Sequence, residues 1–330
     1  MLRIHFTGDD LARVRMAARP DVLWETILSF HRLRERRRAL MFGEWRAETR
    51  VRLSGETRLL AALVPPRGYF PDFLTPPEGA NGLEAGLEAL RATPPARLHS
   101  ELALAAAGRA TTPVLPGRLS ALAEGRPEAL AGLVGALRTY HRAAIEPYWP
   151  HIQATVEADR AVRGRALLDG GAGELLASLP PVLRWRAPVL EADYPAEREL
   201  HLDGRGLLLQ PSFFCRGTPV VYRDTGLPPV LVYPAAHSCA PAFGESGDPS
   251  LGKLVGHTRS VVLQAIRYGC TTSELARRAG VSLASASQHA AVLRQAGLVV
   301  TLRHGNAVLH TVTPLGAALL RGGATAEAAG

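Results

Sequence analysis

The sequence predicts an α+β chain: a mostly helical N-terminal domain with a small antiparallel sheet, then a compact C-terminal module of helices closed by a hairpin. Three observations carry this. Apolar residues recur at helical spacing from about Asn81 to Leu179, and the period shifts to strand-like alternation after Glu197. A small-residue stretch at 235–250, "AAHSCAPAFGESGDPS", then sets a basic C-terminal segment apart as a linker would.

At 330 residues the chain has room for two domains. Its 47% hydrophobic residues are enough for real cores, and its 21% charged residues are too few for a disordered chain. No apolar run approaches the roughly 18 residues of a membrane span. The opening "MLRIHFTGDD" has two acids where a signal peptide needs an apolar stretch, so no export route is visible. Cys215, Cys239 and Cys270 are odd in number and widely spaced, which fits a reducing interior. A soluble cytoplasmic protein, nucleoid-associated if it binds DNA, is the expectation.

Net charge is +8, unevenly spread. Residues 1–60 hold 13 Arg against 8 acids, residues 61–249 hold 17 against 20, and residues 250–330 hold 8 bases against 2 acids. The last segment carries most of the excess, which points to a polyanionic partner.

In order along the chain, "LRIHF" (2–6) alternates like a strand, and 20–40 places Val22, Leu23, Ile27, Phe30 and Leu33 at helical spacing. Five prolines exclude regular helix from 64–79. Helical patterns fill 81–179, "GGAG" (170–173) ending one of them. Then "ERELHLDGRGLLLQPSFF" (197–214) and "TPVVYRDTGLPPVLVYP" (218–234) predict a meander of four short strands around Asp-Gly and Asp-Thr-Gly turns, with "LRIHF" a candidate fifth. These make up an N-terminal domain over 1–240.

Beyond the linker, 251–269 places Leu254, Val255, Val262, Leu263 and Ile266 on one helical stripe. "TTSELARRAG" predicts a short helix capped by Thr272 or Ser273 and ended by a left-handed Gly280. Val281 lies in the turn and Ser282 caps the next helix. That helix would bury Ala286, Ala290, Leu293 and Val292, leaving Leu283, Ala284, Ser285, Ser287, Gln288 and Ala291 outside. "LVVTLR", "HGN" and "AVLHTVT" close the module as a hairpin. Helix, short helix, turn, helix, hairpin is a winged helix-turn-helix over 250–320, with 321–330 a flexible tail.

Small polar side chains on the outer helix face suit a major groove about 12 Å wide, which excludes bulk. Candidate DNA-binding residues are Thr272, Ser282, Ala284, Ser285, Ser287, Gln288, His289 and Arg294, with Arg303, His304 and Asn306 on the hairpin. Arg277, Arg278, Arg294 and Arg303 flank the helix where phosphates would run. His289 could instead pack toward the preceding helix.

At these residues the segment resembles the ArsR-type winged-helix repressors. "LVGHTRSVVLQAI" looks like that family's first repressor helix, "SELARRAGVSLASASQHAAVLRQAGLV" its recognition unit, and "RHGNAVLHTVT" its wing. The likeness covers roughly 250–320, and the upstream part is similar to an N-terminal region of actinobacterial regulators of this type. It implies a repressor that binds double-stranded operator DNA as a homodimer. Metal-sensing members carry Cys-x-Cys before the first helix of the recognition unit. Here Thr271 and Ser273 stand at those positions and Cys270 sits one place early, which argues against thiolate metal sensing. Asn306 and Ala307 make the wing less basic than usual.

Elsewhere the chemistry is thin. "GESG" (244–247) lacks the spacing of a nucleophile elbow, "GGAG" follows no strand, and no Cys pair has ligand spacing. No catalytic residues, metal or cofactor are expected. "HRLRERRR" (31–38) reads as a solvated helix end. The aromatic residues read as core, with a minority available to line an effector pocket. Two other readings stay open: a winged helix that docks protein, and an enzyme domain fused to a DNA-binding module.

Overall fold

The computed structural model describes residues 1–35, 42–53, 57–65, 68–107, 117–235, 252, 254–266, 270–304 and 307–322. The chain divides into two compact units, Met1–His237 and Ser238–Gly330.

In the first unit, β1 (Leu2–His5), α1 (Gly8–Ala12) and β2 (Arg15–Met16) lead into α2 (Val22–Arg34), α3 (Gly43–Arg52) and α4 (Arg58–Leu63). Short 3-10 turns span 72–74 and 77–81, where the prolines forbid regular helix. Then come α5 (Leu83–Arg91), α6 (Pro95–Ala107), α7 (Gly117–Ala123), α8 (Pro127–Ala144) and α9 (Trp149–Ala177). Five strands follow: β3 (Leu183–Arg186), β4 (Val189–Ala192), β5 (Arg198–His201), β6 (Leu208–Ser212) and β7 (Val230–Pro234).

Helix α2 is the axis of the helical layer, buried from Val22 to His31 and packed against α8, α3 and α5. Asp21 starts it by accepting from the backbone N–H groups of Leu23 (2.9 Å) and Trp24 (3.0 Å), which satisfies two orphan donors of the first turn. Glu25, fully buried one turn on, accepts from Phe213 N (2.8 Å) and Phe214 N (3.1 Å), so it ties the helix to the segment after β6. A second core joins Leu2, Ile4, Leu190 and Leu200 of the sheet to Leu175 and Leu176 of α9.

Several expectations are overturned. The small antiparallel sheet is two sheets of other topology. One has the order β3-β4-β1-β5, with β1 antiparallel to β4 and parallel to β5; the other, β2-β6-β7, is wholly parallel. The Asp203–Gly204 turn forms, with φ of 52° and 80°, yet β5 and β6 do not pair across it. Gly206 diverts the chain: its N–H donates to Asp10 Oδ1 of α1 at 2.9 Å. It holds φ +72° where a Cβ would come within 2.5 Å of Arg13, so only glycine fits.

The run at 31–38 is not a solvated end over its described part, because His31 is buried against Phe70 and Arg34 donates to the carbonyls of Ala61 and Val64. Residues 36–38 lie outside the described residues. "GGAG" does end a helical run: Gly170 (φ −144°, ψ 15°) and Gly171 (φ +70°, ψ −162°) leave helical geometry and break α9, and a second run resumes to Ala177. Strands β3 and β4 had no counterpart in the predicted order.

In the second unit, α10 (His257–Ile266), β8 (Cys270–Thr271), α11 (Thr272–Ala279), α12 (Leu283–Gln295), β9 (Val299–His304), β10 (Ala307–Val312) and α13 (Pro314–Gly322) enclose a core of Val262, Leu263, Ile266, Leu275, Ala286, Ala290 and Leu293. Gly256, at φ +89°, breaks the predicted stripe, so Leu254 is 70% exposed rather than packed with Val262. Arg321 and Gly322 close α13 instead of beginning a tail; 323–330, like the linker at 236–251, lie outside the described residues.

Among the described residues no helix is long and apolar enough to cross a membrane, and no group of three or more His, Cys, Asp or Glu side chains is arranged to hold a metal ion.

Candidate nucleic-acid interface

The turn between α11 and α12 follows from three residues. Gly280 takes φ +64°, ψ +32° and ends α11, its N–H donating to Ala276 O. Val281, half-buried, packs against the core. Ser282 is extended and caps α12, its Oγ accepting from Ser285 N at 3.1 Å.

Helix α12 buries Ala286, Ala290 and Leu293, at i, i+4 and i+7, while Val292 is only half-buried. Alanine at two of three core positions seats the helix close to α10 and α11. The opposite side stands in solvent: Ser282, Leu283, Ala284, Ser287, Gln288, Arg294 and Gln295 are exposed, and Ser285, His289 and Ala291 half-buried. Six of the residues chosen from sequence — Ser282, Ala284, Ser285, Ser287, Gln288 and His289 — thus share the N-terminal half of one helix, with Arg294 near its end.

Thr272 faces elsewhere. Helix α11 is capped by Thr271, whose Oγ1 accepts from Glu274 N at 3.2 Å, not by Thr272 or Ser273. The shift arises because Cys270 and Thr271 pair with His310 and Leu309 of β10, which holds them extended and starts the helix one residue early. Thr272 Oγ1 is then 3.0 Å from Nε2 of His310, a buried imidazole whose Nδ1 is 3.0 Å from Thr301 Oγ1. Burial, with Arg294 adding repulsion, holds that imidazole below the ordinary histidine range. Sequence reading missed His310; its alternation within "AVLHTVT", which puts it on the same side as Val308 and Val312, was the available signal.

The arginines divide by role. Arg278 donates to Glu274 and to Ala265 O (3.3 Å), so it fastens α11 to α10. Arg277, with its side chain 79% exposed, lies 3.7 Å from the same carboxylate and projects outward. Arg303 and His304 end β9 opposite Val308 and Ala307; their side chains, and Asn306 entirely, lie outside the described residues. Cys270 is fully buried, its Sγ 3.7 Å from Ala265 O.

A family model described as a helix-turn-helix domain matches residues 257–301, from the start of α10 into β9. No curated protein and no solved structure matches the chain. The segment from α10 to β9 is a helix-turn-helix DNA-binding domain.

Proposed function

We propose that this chain is a transcription regulator of the ArsR type, a repressor that occludes a promoter by binding operator DNA as a homodimer. The hairpin β9–β10 acts as the wing, α12 enters the major groove, and the first unit sets dimer geometry and receives a small-molecule effector. The reading is of a cytoplasmic, nucleoid-associated regulator and not of an enzyme.

One observation carries it. The exposed side of α12 holds small and uncharged side chains, Ala284, Ser287 and Gln288, between exposed Arg277 and Arg294. A solvated face would carry charge, and a protein-docking face would carry a cluster of aromatic or large apolar anchors, where α12 exposes Leu283 alone. Short polar side chains between cations match base edges between phosphates.

Binding of the full chain to the promoter of its own gene, measured across a salt series, tests this. The regulator reading requires tighter binding there than to random DNA, and a logarithmic affinity that falls linearly with logarithmic salt. Equal, weak binding to both would favour the protein-docking alternative.

A further inference from the structure

One residue departs from the small polar character of α12. Leu283, its first residue, is 56% exposed. Helical spacing would let 283 continue the apolar stripe of 286, 290 and 293, yet it lies on the outer side as expected: those three are buried and Leu283 is not. Val281 of the preceding turn, and not Leu283, packs against the core. An apolar side chain is thereby held in water at the end of the helix that, on the regulator reading, enters the groove first.

Its neighbours define what it would meet. Leu283, Ala284, Ser287 and Gln288, at i, i+1, i+4 and i+5, form one exposed patch on the first two turns. Two members are apolar and two can hydrogen-bond. In the major groove the apolar feature that distinguishes one base pair from the other three is the C5-methyl group of thymine. Cytosine methylated at C5 presents the same group at the same place.

Resting on the regulator reading above, we infer that Leu283 is a specificity-determining residue that packs on a C5-methyl group in each operator half-site, with Ala284 leaving room for its approach. The operator requires a thymine, or a 5-methylcytosine, beneath the start of α12. Gln288, one turn further on, reads a neighbouring base by hydrogen bonds.

The test begins with operator sites selected by the full-length protein from a random duplex library. Each thymine of the selected half-site is replaced singly by deoxyuridine, which removes the methyl group and keeps every hydrogen-bonding atom. At one thymine the wild-type protein should lose about fourfold in affinity, the equivalent of about 0.8 kcal/mol for one methyl group taken out of water, and about fifteenfold when both half-sites are changed. Leu283→Ala should bind the uridine and thymine operators equally at that position and keep wild-type sensitivity at every other base. Because Leu283 is exposed, the variant should unfold at the wild-type temperature. Replacing that T·A pair by 5-methylcytosine·G or by cytosine·G separates the two sources: a methyl-dependent difference in wild type, absent in Leu283→Ala, shows that the group is read in either base. The inference is overturned if no uridine position weakens wild-type binding, or if the loss persists in Leu283→Ala. A selection that enriches no sequence defeats the regulator reading itself, and this inference with it.

Discussion

Thr272 Oγ1 lies 3.0 Å from Nε2 of His310, so the first turn of α11 is hydrogen-bonded to the middle of the hairpin's second strand. With Thr301 on the other ring nitrogen, His310 joins three elements by one side chain.

This predicts a pH dependence of the second unit. Burial depresses the His310 pKa below its ordinary 6.5, so under mild acid the unfolded chain takes up a proton that the folded domain refuses. Stability is full above pH 6.5 and should fall as pH drops below it. His310→Asn should flatten that fall and cost about 1–3 kcal/mol at neutral pH by stranding the threonine hydroxyls. Thermal unfolding from pH 5 to 8 checks both; identical slopes in the two proteins would contradict the assignment.

Glu25 predicts the opposite sign for the first unit. Burial pushes its carboxyl up to about 7, against the Phe213 and Phe214 N–H groups that favour the charged form. The folded chain therefore keeps a proton that the unfolded chain releases near 4.5. Its contribution is full below pH 4.5 and is lost as pH rises towards 7. Glu25→Gln, which turns an amide NH2 toward a backbone donor, should lower stability by about 1–3 kcal/mol and remove that decline. Denaturant unfolding of both proteins at pH 5 and pH 8 measures the difference.

Base reading and backbone holding should separate within the helix-turn-helix unit. Gln288→Ala should cost on the order of 1–3 kcal/mol at the operator and relax preference at one or two positions. Arg303→Ala, at the hairpin, should weaken operator and random DNA alike and lower the salt slope by about one. Affinities for both DNAs at low and high salt decide it. Equal weakening of both by Gln288→Ala would place α12 outside the groove.

Soft metals should not release the protein from DNA. Thr271 is occupied as a helix cap and Cys270 is fully buried in the core, so neither offers a ligand where ArsR-type metal sensors carry their cysteines. Titration with zinc, cadmium or arsenite to one equivalent should leave operator affinity unchanged. Release that Cys270→Ser abolishes would sink this.

Dimerisation should depend on the first unit. Of the large apolar side chains exposed among its described residues, Val162, Leu167 and Leu168 belong to α9, and Leu168 is 88% exposed. Light scattering should give twice 35.3 kDa for the full chain, and Leu168→Glu should raise the dimer dissociation constant at least tenfold. A fragment of residues 250–330 that dimerises as tightly as the full chain would refute this division.

What the sequence determined alone is mostly local. The cap at Ser282, the left-handed Gly280, the buried Ala286, Ala290 and Leu293, and the polar outer side of α12 each depend on a few consecutive residues. Capping, glycine conformation and helical period act over that range, so they are legible in one dimension.

Tertiary structure decided what depends on distant partners. Whether β5 pairs with β6 or with β1 is set by Asp10, some two hundred residues upstream, which takes the Gly206 N–H and turns the chain away from the hairpin its Asp-Gly turn suggests. Thr272 became a hairpin contact because β10 drew Cys270 and Thr271 into a strand. Leu254 stayed in water because Gly256 breaks the helix between it and Val262, although its spacing matches the core stripe. A periodic pattern says which side of an element is apolar; only the packed neighbours determine whether anything covers it.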